Sequence, residues 1–158
     1  MTASAAKPSF TIGPASVVTV AAQPVALVSR DIGFAEIPAT QQSASALVNA
    51  ATKAQDVGGG APFTRFAMLP GGGMRYEPGS FVSGPFKSDG DVKADALPAG
   101  RAAHLTLKGD FSGLAEAWPA LMEWAASEKL GLAGVNWEVY APNADLSRQE
   151  TRLYTLLA

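Results

Sequence analysis

The chain contains no cysteine. Disulfides, thiolate nucleophiles and cysteine-ligated metals are therefore excluded, although the compartment is left open. His104 is the single histidine, and one imidazole without a thiolate does not furnish a conventional zinc centre. A serine triad would have to use that residue, and no Gly-x-Ser-x-Gly elbow accompanies it. No metal and no cofactor are expected. Positive charge is also scarce: 12 Lys and Arg stand against 14 Asp and Glu, for a net charge of −2. A nucleic-acid-binding domain is usually basic, with its cations gathered on one face, so direct nucleic-acid binding is not expected. No run approaches the 18 or so apolar residues of a membrane span. The segment Met1 to Ala22 has only Lys7 as a basic residue, which makes a poor secretion signal. A soluble, cytoplasmic protein is the expectation.

What is present is a core. At 158 residues, 47% of them hydrophobic, the chain suits one domain. Gly58-Gly59-Gly60 and Gly71-Gly72-Gly73 lack the Lys-Ser/Thr of a phosphate loop and read as turns. Val135-Asn136-Trp137-Glu138-Val139-Tyr140 reads as a half-buried strand with a carboxylate in its middle. Alternation places Asn136, Glu138 and Tyr140 on one face and Val135, Trp137 and Val139 on the other. A buried acid costs free energy unless it is paired or hydrogen-bonded. An acid beside an aromatic suits an apolar ligand with positive charge, or acid-assisted chemistry on an apolar substrate.

The pattern of elements is stated twice. Strand Val25 to Arg30, a turn around Asp31-Ile32-Gly33, a helix from about Ala39 to Asp56, and strands Phe63 to Leu69 and Met74 to Glu77 form one unit. Strand Gly100 to Lys108, a helix from Ser112 to Leu130, and strands Val135 to Tyr140 and Thr151 to Leu157 form the second. Phe63 and Trp137, in the strands after the helices, are 74 residues apart. Helical spacing puts Leu47, Ala50, Ala51 and Ala54 on the first apolar stripe, and Leu114, Trp118, Leu121 and Ala125 on the second. Gly58 and Gly131 are placed to stop the helices, and Pro119 should bend the second or mark its start. The reading is an α+β fold of duplicated βαββ units, with an antiparallel sheet, two main helices and a cleft between the repeats. Residues 1–17 are taken as a tail, 18–83 as repeat one, 84–97 as a linker and 98–158 as repeat two.

Four runs, in this order, resemble the GyrI-like small-molecule-binding domain, the effector-binding domain of AraC- and MerR-type multidrug regulators. They are Leu97-Pro98-Ala99-Gly100-Arg101; Lys108-Gly109-Asp110-Phe111-Ser112-Gly113-Leu114 with Ala117-Trp118; Trp137-Glu138-Val139-Tyr140; and Glu150-Thr151-Arg152-Leu153-Tyr154. The resemblance covers about Val18 to Leu157, and the duplicated βαββ layout is also this family's fold. It implies binding of bulky, often cationic and aromatic molecules in the cleft, with Glu138 at the position of the family's cleft glutamate. It implies Phe111, Trp118, Tyr140 and Tyr154 as aromatic lining. Some multidrug-sensing members carry Tyr where this chain has Leu114 and Ala102, which implies a less aromatic pocket. The chain is read as a stand-alone member.

Three functions follow from the resemblance. The first is binding of a small hydrophobic ligand, with a cation as the charge complement of Glu138, as a sensor or sequestering module. The second is hydrolysis of reactive small electrophiles with Glu138 as general base. The third is modulation of a protein partner, as in members that inhibit DNA gyrase. Beside them, Glu138 could be a surface acid paired with Arg152. Trp137 is expected in the core under the helices, and His104 as a hydrogen-bonded structural residue.

Overall fold

Both periodic stretches become helices, and every strand pairing is antiparallel, in the computed structural model, which describes residues 10–158. In chain order the elements are β1 (Phe10–Ile12), β2 (Ser16–Val20), β3 (Gln23–Leu27), β4 (Arg30–Ile32), α1 (Ile37–Ala54), β5 (Pro62–Met68) and β6 (Met74–Phe81). There follow β7 (Lys93–Leu97), β8 (Gly100–Gly109), α2 (Leu114–Ser127), β9 (Leu132–Ala141) and β10 (Glu150–Leu157). All ten strands belong to one sheet, ordered β1-β8-β10-β9-β5-β6-β3-β7, with β2 beside β8 and β4 beside β6.

The order is the duplication made visible. From the centre outward, one half runs β5, β6, then β3 and β4; the other runs β9, β10, β8. The halves meet at the β5–β9 seam, where Thr64 lies directly opposite Glu138. These two residues are also counterparts in the repeat, 74 positions apart like Phe63 and Trp137. An antiparallel pair whose facing residues are each other's counterparts lies on a pseudo-two-fold axis. The helices obey the same relation with another offset: α1 starts at residue 37 and α2 at 114, 77 apart.

The helix ends match as well. Each closes with a Schellman pair of hydrogen bonds: Val57 to Thr52 and Asp56 to Lys53 in the first, Leu130 to Ala125 and Lys129 to Ala126 in the second. The left-handed residues are Asp56 and Lys129, both at φ 57°, rather than the expected Gly58 and Gly131. The α-helical segment of α2 runs through Pro119 without interruption.

The two helices cover one face of the sheet. Under α2 lie Ala103, Leu105, Leu107 and Leu153, against Ala117, Leu121 and Ala125. Under α1, Ala26 and Val28 meet Ala44, Val48 and Ala51. Of the expected α1 stripe only Ala51 is buried, and Leu47, Ala50 and Ala54 are exposed. A helix so rich in Ala carries few bulky residues to mark its buried face, and Val48 does so here. The opposite face holds Val25, Leu27, Phe63, Leu97, Ala102 and Trp137. Trp137 thus packs in a core away from the helices, not beneath them. That face has strand neighbours at both edges: β2 turns directly into β3 through Ala21 and Ala22, and β7 into β8 through Pro98 and Ala99.

Several segments depart from the sequence reading. Residues 10–17, taken as tail, contribute β1 and the first two residues of β2, both strands paired with β8; residues 1–9 lie outside the described residues. The linker 84–97 contains β7, an edge strand on β3. The expected turn at Asp31 to Gly33 is mostly β4. Strand β6 continues through Pro78 and Gly79. Its outer partner changes there from β4 to β3, so the missing N–H of Pro78 falls where one partner has ended.

Gly79 shows how tight that crossing is. A Cβ there would stand 2.3 Å from the Ala26 carbonyl oxygen and 2.7 Å from the Phe63 ring. Gly79→Ala is expected to destabilise the fold by about 1–3 kcal/mol or more, read as a lower urea midpoint with an unchanged slope. An unchanged midpoint would show that the crossing relaxes freely.

Candidate functional site

The β5–β9 seam presents Thr64, Phe66, Asn136, Glu138 and Tyr140 on the helix-covered face, as cross-strand pairing and alternation require. Asn136 is occupied structurally: its side chain accepts from Thr155 Oγ1 at 2.8 Å and donates to the Phe66 carbonyl at 3.4 Å. Glu138 is 9% exposed. Its carboxylate accepts from Trp118 Nε1 at 2.5 Å and from the Tyr140 hydroxyl at 2.7 Å. Among the described residues no Lys, Arg or His forms an ion pair with it, and Arg152 instead reaches Glu150 at 3.6 Å. Burial pushes the Glu138 carboxyl up from the usual range, while the Trp118 and Tyr140 hydrogen bonds pull it down. The Tyr140 hydroxyl is held well above its ordinary value, first by burial and then by the Glu138 charge.

The network continues into the first repeat. The Tyr140 oxygen lies 2.9 Å from Thr64 Oγ1, Thr64 lies 3.2 Å from Gln41 Oε1, and the Tyr76 hydroxyl donates to the same Gln41 oxygen at 2.7 Å. A hydroxyl has one proton to donate. With Glu138 ionised, Tyr140 donates to the carboxylate and is free to accept from Thr64. With Glu138 protonated, the chain can run the other way, toward Gln41. Burial raises the Tyr76 hydroxyl to about 12, so it remains a donor at neutral pH. Aromatic walls complete the arrangement: Phe66 packs edge-on against Trp118 at 5.1 Å and Phe111 edge-on against Tyr140 at 5.9 Å. Thr151, opposite Tyr140 in β10, is fully buried with a hydroxyl that has no hydrogen-bond partner.

Four of the residues proposed from sequence, Glu138, Tyr140, Trp118 and Phe111, therefore come together. The fifth does not. Tyr154 pairs across the strands with Trp137 and stacks on it at 5.2 Å, on the sheet face away from Glu138. There it lines a cavity of about 200 Å³ with Trp137, Phe81 and Leu97. Ala102 also lies on that face. His104 stacks on Tyr154 and lies with Nδ1 2.9 Å from the Leu153 carbonyl; burial lowers its pKa. It is structural, as expected.

The chain belongs to the GyrI-like small molecule binding domain family, whose model matches residues 14–157. Among solved structures it is similar to the EcmrR C-terminal domain, with a TM-score of 0.68 and 16% identity over 92% of this chain and 98% of that one. SAV2435 bound to tetraphenylphosphonium gives a TM-score of 0.69 at 8% identity, over 92% and 94%. A hydrolase from Listeria innocua gives 0.60 at 12% identity, over 91% of each chain. None of the curated proteins matches the chain. The family and fold together define a small-molecule-binding domain. No helix among the described residues is long and apolar enough to cross a membrane.

Thr64, Phe66, Gln41 and Tyr76 were not singled out from sequence. The signal was the repeat itself: Thr64 stands 74 residues before Glu138, and Gln41 stands 77 before Trp118.

The Glu138 shift has a definite consequence for stability. A carboxyl whose folded pKa is raised contributes stability that is fully present below its unfolded value and is lost as pH rises through the folded one. Glu138→Gln removes that loss and keeps a carbonyl for Trp118. Relative to wild type, the variant should gain stability as pH rises from about 4, then level off above the folded pKa, in urea melts across pH 4 to 8. A gap that is constant or shrinks with pH would show that Glu138 is not strained by its burial.

Proposed function

We propose that the chain binds a small hydrophobic cation in the groove between α1 and α2, over the β5–β9 seam, with Glu138 as its charge complement. The observation that carries this is a buried carboxylate held by Trp118 and Tyr140, whose rings pack on Phe66 and Phe111, and supported among the described residues only by neutral donors. Neutral hydrogen bonds offset part of the desolvation cost, and a cation would restore the rest at close range in a low dielectric. The surrounding rings add stacking and cation–π attraction. Entry requires the Trp118 and Phe111 side chains to move aside, and both belong to the opening of α2 and the turn before it. The exposure of Phe111 at 44% agrees with that position at the rim. Binding of tetraphenylphosphonium by SAV2435 supports the same ligand class.

Electrostatic complementarity fits the geometry better than general-base catalysis does. Both carboxylate oxygens already accept a hydrogen bond, from Trp118 and from Tyr140.

The test is titration of tetraphenylphosphonium at pH 7.5, followed by calorimetry or Trp fluorescence. Removing one charge-assisted contact in Glu138→Gln should weaken binding by about 10- to 100-fold and leave a neutral tetraaryl analogue unaffected. Wild-type affinity for the cation should also fall as pH drops through the folded Glu138 pKa. Equal affinity of wild type and Glu138→Gln at both pH extremes would remove Glu138 from the site.

A further inference from the structure

The pseudo-two-fold axis makes the two halves of the groove comparable residue by residue, and they are chemically opposite. On the second-repeat side stand Glu138 in the seam, Trp118 on the helix and Tyr140 on the strand. Their counterparts by the same offsets are Thr64, Gln41 and Phe66. Trp118 donates to Glu138, and in the same relation Gln41 meets Thr64. One half is anionic and aromatic; the other is neutral and built on an amide.

The state of that amide is specific. Gln41 Oε1 accepts from the Tyr76 hydroxyl at 2.7 Å, and Thr64 Oγ1 lies 3.2 Å from it. Its Nε2 carries two hydrogens and uses one, on Ser45 Oγ at 3.3 Å. The short contact from the Tyr76 hydroxyl marks that end of the amide as the oxygen. One N–H is left, on a half-buried side chain that stands on the seam-facing side of α1.

We infer that Gln41 is a specificity-determining residue, and that the preferred ligand is a hydrophobic monocation bearing a hydrogen-bond acceptor, such as an ester, carbonyl or ether, on the side away from its charge. This rests on the reading of Glu138 as the charge complement. The single carboxylate of the seam favours one positive charge, and the free amide N–H favours an acceptor over a plain hydrocarbon. Leaving a buried amide hydrogen unpaired beneath a purely hydrocarbon ligand carries a cost that an acceptor avoids.

The experiment uses two xanthylium dyes of the same core and charge, tetramethylrhodamine methyl ester and tetramethylrosamine, which lacks the ester. Fluorescence anisotropy should show wild type preferring the ester dye by about two- to tenfold, the worth of one neutral hydrogen bond. Gln41→Leu should abolish the preference. Gln41→Glu, which keeps the acceptor for Thr64 and Tyr76 but removes the N–H, should abolish it too while tightening both dyes; this isostere covers the case in which Leu disturbs α1. Glu138→Gln should weaken both dyes equally and keep the preference. Equal wild-type binding of the two dyes, or a preference that survives both Gln41 variants, overturns the role of Gln41 while the Glu138 reading stands. Dye affinity that is insensitive to Glu138→Gln overturns both.

Discussion

The facing pair Thr64 and Glu138 is the constraint on which the rest of the site depends. It lies where the two repeats meet in register, so any side chain there is shared between both halves of the molecule. Placing a carboxylate in that position incurs a desolvation cost of several kcal/mol if it is unpaired. The fold offsets part of it with one donor from α2 and one from β9. This ties α2 to the sheet by a polar contact as well as by the apolar packing of Leu121 and Ala125. Through Tyr140, Thr64 and Gln41 the same charge is linked to α1. Both helices are therefore linked to the protonation state of one buried group.

Much of this is legible in the sequence alone. The strand around Glu138 announced a buried acid by its composition, and its alternation correctly grouped Glu138 with Tyr140. The repeat was visible in the spacing of Phe63 and Trp137. What was not legible was register between strands. Alternation assigns faces within one strand, but it does not say which residue of β10 lies opposite Trp137. Tyr154 was therefore grouped with Glu138 through the family pattern, whereas pairing puts it on the other face. Trp137 was misplaced for a related reason: its face was read correctly, but the side on which the helices lie is a tertiary fact.

Short edge strands escaped detection for another reason. In β7 four of five residues are exposed, so Lys93-Ala94-Asp95-Ala96 carries no apolar alternation to mark it. Its position is fixed by pairing with β3, and by Arg65, which reaches Asp95 and the Ala96 carbonyl as well as Glu77. Likewise β1 is three residues just before Gly13-Pro14, yet Phe10 packs into the core beneath α2. Such segments are held by distant partners, and local sequence does not encode distant partners.

The asymmetry of the duplicated site follows from electrostatics. Facing side chains of an antiparallel pair stand about 4.5–5.5 Å apart at Cβ. Two carboxylates so placed, in a buried setting, cannot both ionise; one would retain its proton. A second acid at Thr64 would thus compete with Glu138 for protons. Divergence of the pair into one acid and one neutral hydrogen-bonding residue avoids the conflict. It also leaves the first repeat's helix position, Gln41, without an anion to support, where Trp118 in the second repeat has one. A duplicated fold with its pseudo-axis through a buried facing pair is in this way driven toward a single charge at that pair, with a neutral hydrogen-bonding partner opposite.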